Sequence, residues 1–192
     1  MFHTKNNFMS KRTDFAFKSL NILAWFIFVG LCIETGGLMV NAFISLFVNP
    51  MASARFWGGR NLYALYQFNE SHFVTIVLLL IIVSILKSIL FYLIVNIFHK
   101  KSLNLSNPFN EQLGRFLFNL SYLALGIGIF SWWGNNFNNW LKMIGKTVLS
   151  QDLYNIKFEG ADVWIFMATI LLIFALIFKK GVELQSENDL TV

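Results

Sequence analysis

The fold is decided by an unbroken apolar stretch at residues 73–98, FVTIVLLLIIVSILKSILFYLIVNIF. Lys87 is the one charged residue within it. About 20 mostly apolar residues suffice for an α-helix to cross the hydrocarbon core of a bilayer, so this stretch predicts a membrane span. Its continuous apolar run excludes a β-barrel strand, in which lipid-facing and interior side chains alternate.

Three further stretches pass the same test, at about residues 20–48, 113–133 and 161–178. The whole chain is 56% hydrophobic and 13% charged, whereas about 25% of the residues of a soluble domain are charged. We therefore predict an all-α integral membrane protein with one membrane domain over residues 1–192. Its four transmembrane helices form a bundle, followed by a tail at residues 179–192.

The distribution of Lys and Arg predicts the orientation. Nine of these residues flank the two termini and the second loop, and five lie in the first and third loops. Basic residues in short loops stay on the cytoplasmic side. We expect both termini in the cytoplasm, with the lipid bilayer as the first partner of the chain.

The third loop, residues 134–160, contains an amphipathic segment. Its apolar residues recur at helical spacing, while Asn138 and Lys142 fall largely on the opposite face; the apolar set is Phe137, Trp140, Leu141, Ile144 and Val148. This periodicity predicts a helix that lies on the outer leaflet or caps the bundle.

Two ionisable residues, Glu34 and Lys87, lie inside the spans. Such residues are costly in hydrocarbon and usually face the bundle interior with a partner. Counted from the inner helix ends, their depths are about 21 Å and 16 Å at 1.5 Å per residue, which predicts a Glu34–Lys87 contact. The pair either fixes helix packing or forms a polar site for an ion, a proton or a small substrate. The first reading is favoured because one acid and one base satisfy each other.

Other polar or small residues also share helix faces. Asn41 lies on a small-residue stripe of the first span, Asn119 and Tyr122 share a face of the third, and Ala161, Ala168 and Ala175 recur every seven residues in the fourth. Small residues let helices approach closely, and polar ones bond between helices. We expect Asn41, Asn119 and Tyr122 in the bundle interior.

Residues for catalysis or metal binding do not converge in the sequence. The three histidines, His3, His72 and His99, are dispersed, and Cys32 is the single cysteine. We therefore predict no catalytic residue, no metal site and no cofactor. The formal net charge of +5 comes from residues scattered around apolar spans, which does not favour direct nucleic-acid binding.

Two segments carry a family resemblance: Asn107-Pro108-Phe109-Asn110-Glu111 before the third span, and the tail from Gly181, which ends in Glu-Asn-Asp-Leu-Thr-Val. With four spans at this spacing, the chain resembles, along essentially its whole length, the bacterial membrane family catalogued as domain of unknown function 2975. That family has no established activity, and its genes lie beside small helix-turn-helix regulators. The resemblance implies a location in the bacterial inner (cytoplasmic) membrane and a role as a membrane partner for a cytoplasmic regulator.

Together these observations predict a non-enzymatic regulatory or signalling protein. Its partner surface joins the second loop to the tail, with Gly181 as a break; the surface residues are Pro108, Phe109, Leu184, Gln185, Glu187, Asn188, Asp189 and Leu190. The alternative is a small transporter, channel or immunity-type protein that uses the polar residues around Glu34 and Lys87, and a membrane enzyme is favoured least. A homo-oligomer stays open.

Overall fold

The computed structural model describes the backbone of residues 3–99, 111–154, 156, 158 and 160–189. Side chains are described for residues 15–98, 111–145, 153, 156, 158 and 160–187. Within these ranges the chain is helical, apart from one isolated antiparallel bridge between Phe56 and Arg60.

The described backbone forms five α-helices and one short 3₁₀ helix. The α-helices are α1 (His3–Phe47), α2 (Tyr63–Phe68), α3 (Glu70–His99), α4 (Glu111–Tyr154) and α5 (Ala161–Asp189). The 3₁₀ helix, Pro50–Arg55, follows α1; the side chain of Asn49 caps it by accepting a hydrogen bond from the N–H of Met51.

Four of these helices, α1, α3, α4 and α5, are long and apolar enough to span a membrane. The prediction of an all-helical protein with four such spans is confirmed. The helices extend past the predicted spans, however: α1 begins at His3, α4 continues to Tyr154 and α5 continues to Asp189. At 1.5 Å per residue, α4 has a contour of about 66 Å, which exceeds a hydrocarbon core of about 30 Å.

The four long helices pack in the order α1–α3–α4–α5. Among the described residues, each packs mainly on its neighbours in this row, and no Cα atoms of α1 lie within 8 Å of α4 or α5. The two inner helices of the row are more buried than the two outer ones. In the most apolar 18-residue segment of each helix, 44% of the residues of α3 and 33% of those of α4 are buried, against 11% for α1 and α5. The outer helices of the row therefore present most of their apolar surface outward, as a lipid environment permits.

Two apolar cores lie one above the other. The first, here called the cap core, includes residues of α1, of α3, of α4 and of the segments that join the helices at one end; its fully buried members are Leu38, Phe56, Leu62, Leu65, Phe73, Ile76, Val77, Leu141 and Leu153. The second, the span core, joins α3, α4 and α5 through Val83, Leu90, Leu120, Ala124, Ile127 and Ala168. We call the end of the molecule with the cap core the loop side, and the opposite end the tail side.

Asn138 shows that α4 is sharply bent. Its side-chain amide donates to the carbonyls of Leu153 at 3.3 Å and Ile156 at 3.1 Å. In a straight helix, residues 138 and 153 are about 22 Å apart, so the chain must turn back between them. The structure thus continues α4 through the amphipathic segment. The prediction that Asn138 lies on its polar face is wrong, because Asn138 is buried and anchors this return.

Small residues bring α4 and α5 close together. The hydroxyl of Ser121 in α4 donates to the carbonyl of Ala168 in α5 at 3.1 Å. A Cβ at Gly128 would lie 2.6 Å from the side chain of Ile165. Of the three alanines predicted to share a face of the fourth span, Ala168 and Ala175 are buried and Ala161 is partly buried.

The tail continues the last helix. The prediction that Gly181 breaks this helix is wrong, because α5 runs through it to Asp189. Glycine costs about 1 kcal/mol relative to alanine inside a helix. Beside Gly181, on the exposed surface of the helix, Lys180 and Glu183 form an ion pair at 3.2 Å.

Candidate functional site

Glu34 and Lys87 line one cavity where the cap core meets the span core. Glu34 comes from α1 and Lys87 from α3, and both are partly buried. The cavity has a volume of about 60 Å³, and its other lining residues are Leu38, Arg60, Leu80, Val83, Ser84, Ser131 and Phe158. Residues from three long helices and from both loop-side connections therefore surround it.

Hydroxyl groups join α1 to α3 beside this cavity. Thr35 lies next to Glu34, and its Oγ1 is 2.7 Å from the Oγ of Ser84 and 3.1 Å from the Oγ of Ser88. Thr35 also donates to the carbonyl of Leu31, and Ser88 to that of Ser84, one helical turn earlier. These bonds hold the two helices in register, because polar groups in an apolar setting are costly unless they are bonded.

A tight turn brings Arg60 to the cavity. Gly58 and Gly59 both have positive φ, 75° and 72°, which favours glycine because a Cβ is strained there. The turn pairs Phe56 with Arg60 through two backbone hydrogen bonds of 2.8 and 3.2 Å. The guanidinium donates through Nη1 to the carbonyl of Trp57 at 2.9 Å.

Two glycines let aromatic rings of the loop-side connections pack against the long helices. A Cβ on Gly37 of α1 would overlap the indole of Trp57, and one on Gly134 of α4 would overlap the ring of Phe158. Phe158 is 5% exposed and lines the cavity itself. The loop-side connections are thus packed directly onto the spans.

The charges around the cavity do not pair directly. Among the described side chains, no ion pair of 4.0 Å or less joins Glu34 to Lys87 or to Arg60. The Nζ of Lys87 lies 6.0 Å from the ring centroid of Trp164, at the limit of a cation–π interaction. The structure brings the described side chains of Glu34 and Lys87 to one cavity, without the direct ion pair that the sequence predicts.

The other polar residues predicted for the bundle interior lie elsewhere. Tyr122 is 63% exposed and stacks on Phe118, and Asn119 is exposed on the groove between α3 and α4 that also includes Asn96 and Arg115. Their predicted interior position is wrong, because α4 buries the face of Ser121 instead. Asn41 is partly buried and donates to the carbonyl of Gly37 in its own helix at 3.2 Å.

The predicted partner surface is described only in part. Leu184 is 50% exposed, and Gln185 and Glu187 are exposed on α5. The backbones of Asn188 and Asp189 are helical, whereas Pro108, Phe109 and Leu190 lie outside the described residues. The proposed joining of second loop and tail stays a prediction.

Comparison with protein families identifies the chain. The model of a protein of unknown function, DUF2975, matches residues 61–192. This chain belongs to the DUF2975 family. The DUF2975 match takes in Lys87, Ser131 and the whole of α3, α4 and α5, and it begins just after Arg60. No curated protein and no solved structure matches the chain.

Sequence reasoning missed Arg60 and Asn138. The Gly58-Gly59 turn was a usable signal for Arg60, because a tight turn returns the chain toward the helix it has just left. Asn138 recurs seven residues after Ser131 on a stripe of buried α4 positions. The amphipathic pattern of large residues obscured that stripe.

Proposed function

We propose that this member of the DUF2975 family is a non-enzymatic regulatory or signalling protein of the bacterial inner membrane. Both termini lie in the cytoplasm, and the tail helix binds a cytoplasmic partner, a small helix-turn-helix regulator. The observation that carries this proposal is the continuation of α5 beyond Lys179-Lys180 as a helix that reaches Asp189 and is exposed at residues 183–187.

The exposed end of α5 offers both an apolar and an acidic contact. Nine residues beyond Lys180 extend about 13 Å at 1.5 Å per residue. Leu184 is 50% exposed there, between Glu183 and Glu187, which are exposed as well. A helix with an apolar anchor and flanking charges fits the groove or helix face of a partner protein.

The charge of the tail indicates the chemistry of that partner. Glu183, Glu187 and Asp189 make the tail beyond the basic pair acidic. DNA-binding domains carry a basic face that contacts phosphates. An acidic tail that covers such a face holds the regulator at the membrane and away from DNA, and a signal in the membrane domain releases it.

Co-purification after crosslinking in native membranes tests this proposal. We expect the full chain to recover a helix-turn-helix protein, and deletion of Leu184–Val192 to abolish that recovery without changing protein level or melting temperature. The matched control is Arg55→Gln, which changes an exposed loop-side residue. Unchanged recovery after the deletion, or a loss of stability that explains the loss of recovery, contradicts the proposal.

Cysteine labelling tests the orientation. Cys32 is the single cysteine, so a Cys32→Ser chain with Val192→Cys carries one labelled position. We expect a membrane-impermeant maleimide to label it only after the cells are permeabilised. Met143→Cys, at a 73% exposed loop-side residue, is expected to label in intact cells; the reverse pattern contradicts the orientation.

The charged cavity favours a second candidate, a small transporter, channel or immunity-type protein. Three ionisable side chains, Glu34, Arg60 and Lys87, line one cavity between the long helices. Transport predicts that purified protein in liposomes conducts an ion or solute, and that Lys87→Met removes this flux. Flux equal to that of empty liposomes contradicts transport.

A further inference from the structure

The charge balance of the cavity differs from the one-acid, one-base pair that the sequence suggests. Arg60 adds a second cation, so two positive side chains and one carboxylate line the same space. The three come from different parts of the fold: Glu34 from α1, Lys87 from α3 and Arg60 from the turn before α2. The cavity therefore carries one positive charge more than its own carboxylate neutralises.

The two cations keep donors available toward the cavity. Arg60 is held by one bond, from Nη1 to the carbonyl of Trp57, and a guanidinium has five N–H donors. Lys87 faces the edge of the site, with Trp164 at 6.0 Å. Ser131, 2% exposed, adds a hydroxyl group to the lining, whereas the proton of Ser84 is used in its bond to Thr35. Guanidinium, ammonium and hydroxyl groups together are donors suited to an oxygen anion or a halide.

The size and net charge of the site define its ligand. One water needs about 10–15 Å³ of such space, so about 60 Å³ accepts a ligand of a few non-hydrogen atoms. A surplus of one positive charge in apolar surroundings of Leu38, Leu80 and Val83 favours a single negative charge. We propose that this cavity binds a small monovalent anion, such as a carboxylate or a halide, between Arg60 and Lys87.

Glu34 then has a definite effect on affinity. Its carboxylate neutralises part of the cationic charge and opposes the anion, so it limits binding to weak, reversible occupancy and disfavours divalent anions. The effect of removing this carboxylate therefore distinguishes the possible ligands. The affinity for an anion should rise, whereas the affinity for a cation or a proton should fall.

Equilibrium dialysis of the full chain in detergent micelles, with radiolabelled formate at constant ionic strength, measures the site. We expect saturable binding of one formate per chain, which chloride displaces and sulfate does not. Arg60→Gln and Lys87→Met should weaken formate binding about tenfold or more, since each removes one charge contact. Glu34→Gln should tighten it about tenfold by the same reasoning.

Two control variants separate local charge from damage to the fold. Arg55→Gln changes an exposed arginine of the same connection that does not line the cavity, and we expect unchanged affinity. Lys87→Arg keeps the charge and should retain binding even if Lys87→Met does not fold. The proposal is overturned if the wild-type chain binds neither formate nor chloride saturably, if Arg60→Gln and Lys87→Met bind as the wild type does, or if Glu34→Gln loses binding.

Discussion

The two ends of this membrane protein are built differently. On the loop side, Phe56, Leu62 and Leu65 are 1%, 0% and 0% exposed, and they pack with residues of α3 and α4. On the tail side, the last turns of α5 stand apart, with residues 183–187 exposed. The loop side is thus a packed scaffold that holds a site in place, and the tail side presents a helix whose surface is accessible to another protein.

This difference follows from the amount of apolar surface that each end has to bury. On the loop side, α4 continues well beyond the length needed to cross a bilayer, and its apolar residues there, Leu141 and Leu153, are buried in the cap core with the connecting segments. The tail of α5 contains mainly polar residues, so it has little apolar surface to bury, and none of its described side chains belongs to either core.

Truncation of a fully buried side chain should give the largest stability difference between the two ends. Leu65→Ala in the cap core is expected to lower the free energy of unfolding by about 2–5 kcal/mol, because it removes buried methyl groups and leaves a cavity. Leu184→Ala in the tail should change it by less than about 0.5 kcal/mol. Denaturant unfolding in mixed micelles compares the two; equal effects contradict the contrast between the ends.

The next largest loss of stability is expected for Asn138, whose hydrogen bonds hold the returning chain on the loop side. Asn138→Ala removes two hydrogen bonds and leaves the carbonyls of Leu153 and Ile156 without this donor. We expect a loss of about 2 kcal/mol in the same assay. Its neighbour Asn139 is exposed, so Asn139→Ala should be nearly neutral. A neutral Asn138→Ala would show that the return of the chain has another basis.

Adjacent glycines in α1 give a smaller, matched comparison. Gly37→Ala places a methyl group against the indole of Trp57, whereas a Cβ on Gly36 meets nothing within 4 Å. We expect Gly37→Ala to destabilise the protein by about 1–3 kcal/mol through overpacking, and to shift the emission of tryptophan. Gly36→Ala should be neutral or mildly stabilising; destabilisation of the same size by both variants contradicts the Trp57 contact.

A single hydrogen bond between spans should have the smallest effect. Ser121→Ala removes the bond to the carbonyl of Ala168, and such bonds in membrane proteins contribute about 0.6 kcal/mol on average. Thr169→Ala is the control, because Thr169 bonds only one turn back in its own exposed face of α5. A loss above about 2 kcal/mol for Ser121→Ala would indicate that this bond does more than join α4 to α5.

Hydrophobicity alone predicts the number of spans, because about 20 apolar residues in a row have few alternatives to a membrane helix. It does not predict which face of a helix is covered. Tyr122 and Asn119 share a face that looks polar enough for an interior, yet α4 buries its small-residue face against α5. In lipid, close approach of small residues competes with polar pairing, and the sequence of one helix does not reveal its partner's surface.

The sequence predicts two of the three charged residues of the candidate site. Glu34 and Lys87 stand out because charges inside spans are rare. Arg60 lies in a loop, where a basic residue is ordinary, and only the Gly58-Gly59 turn and the fit of Trp57 on Gly37 bring it to the cavity. The continuation of α5 through Gly181 also differs from the predicted break, because the helix formers around one glycine outweigh its cost of about 1 kcal/mol.

The most direct test of the contrast between the ends is site-specific photocrosslinking in living cells. A photoreactive residue at position 184 is compared with one at Met143, which is 73% exposed on the loop side. We expect a discrete adduct from position 184 that mass spectrometry identifies as a helix-turn-helix regulator. This adduct should be lost in a Glu183→Lys, Glu187→Lys chain, and none should form from position 143. Absence of that adduct at position 184, or its persistence after charge reversal, would contradict the binding of such a regulator to the acidic tail.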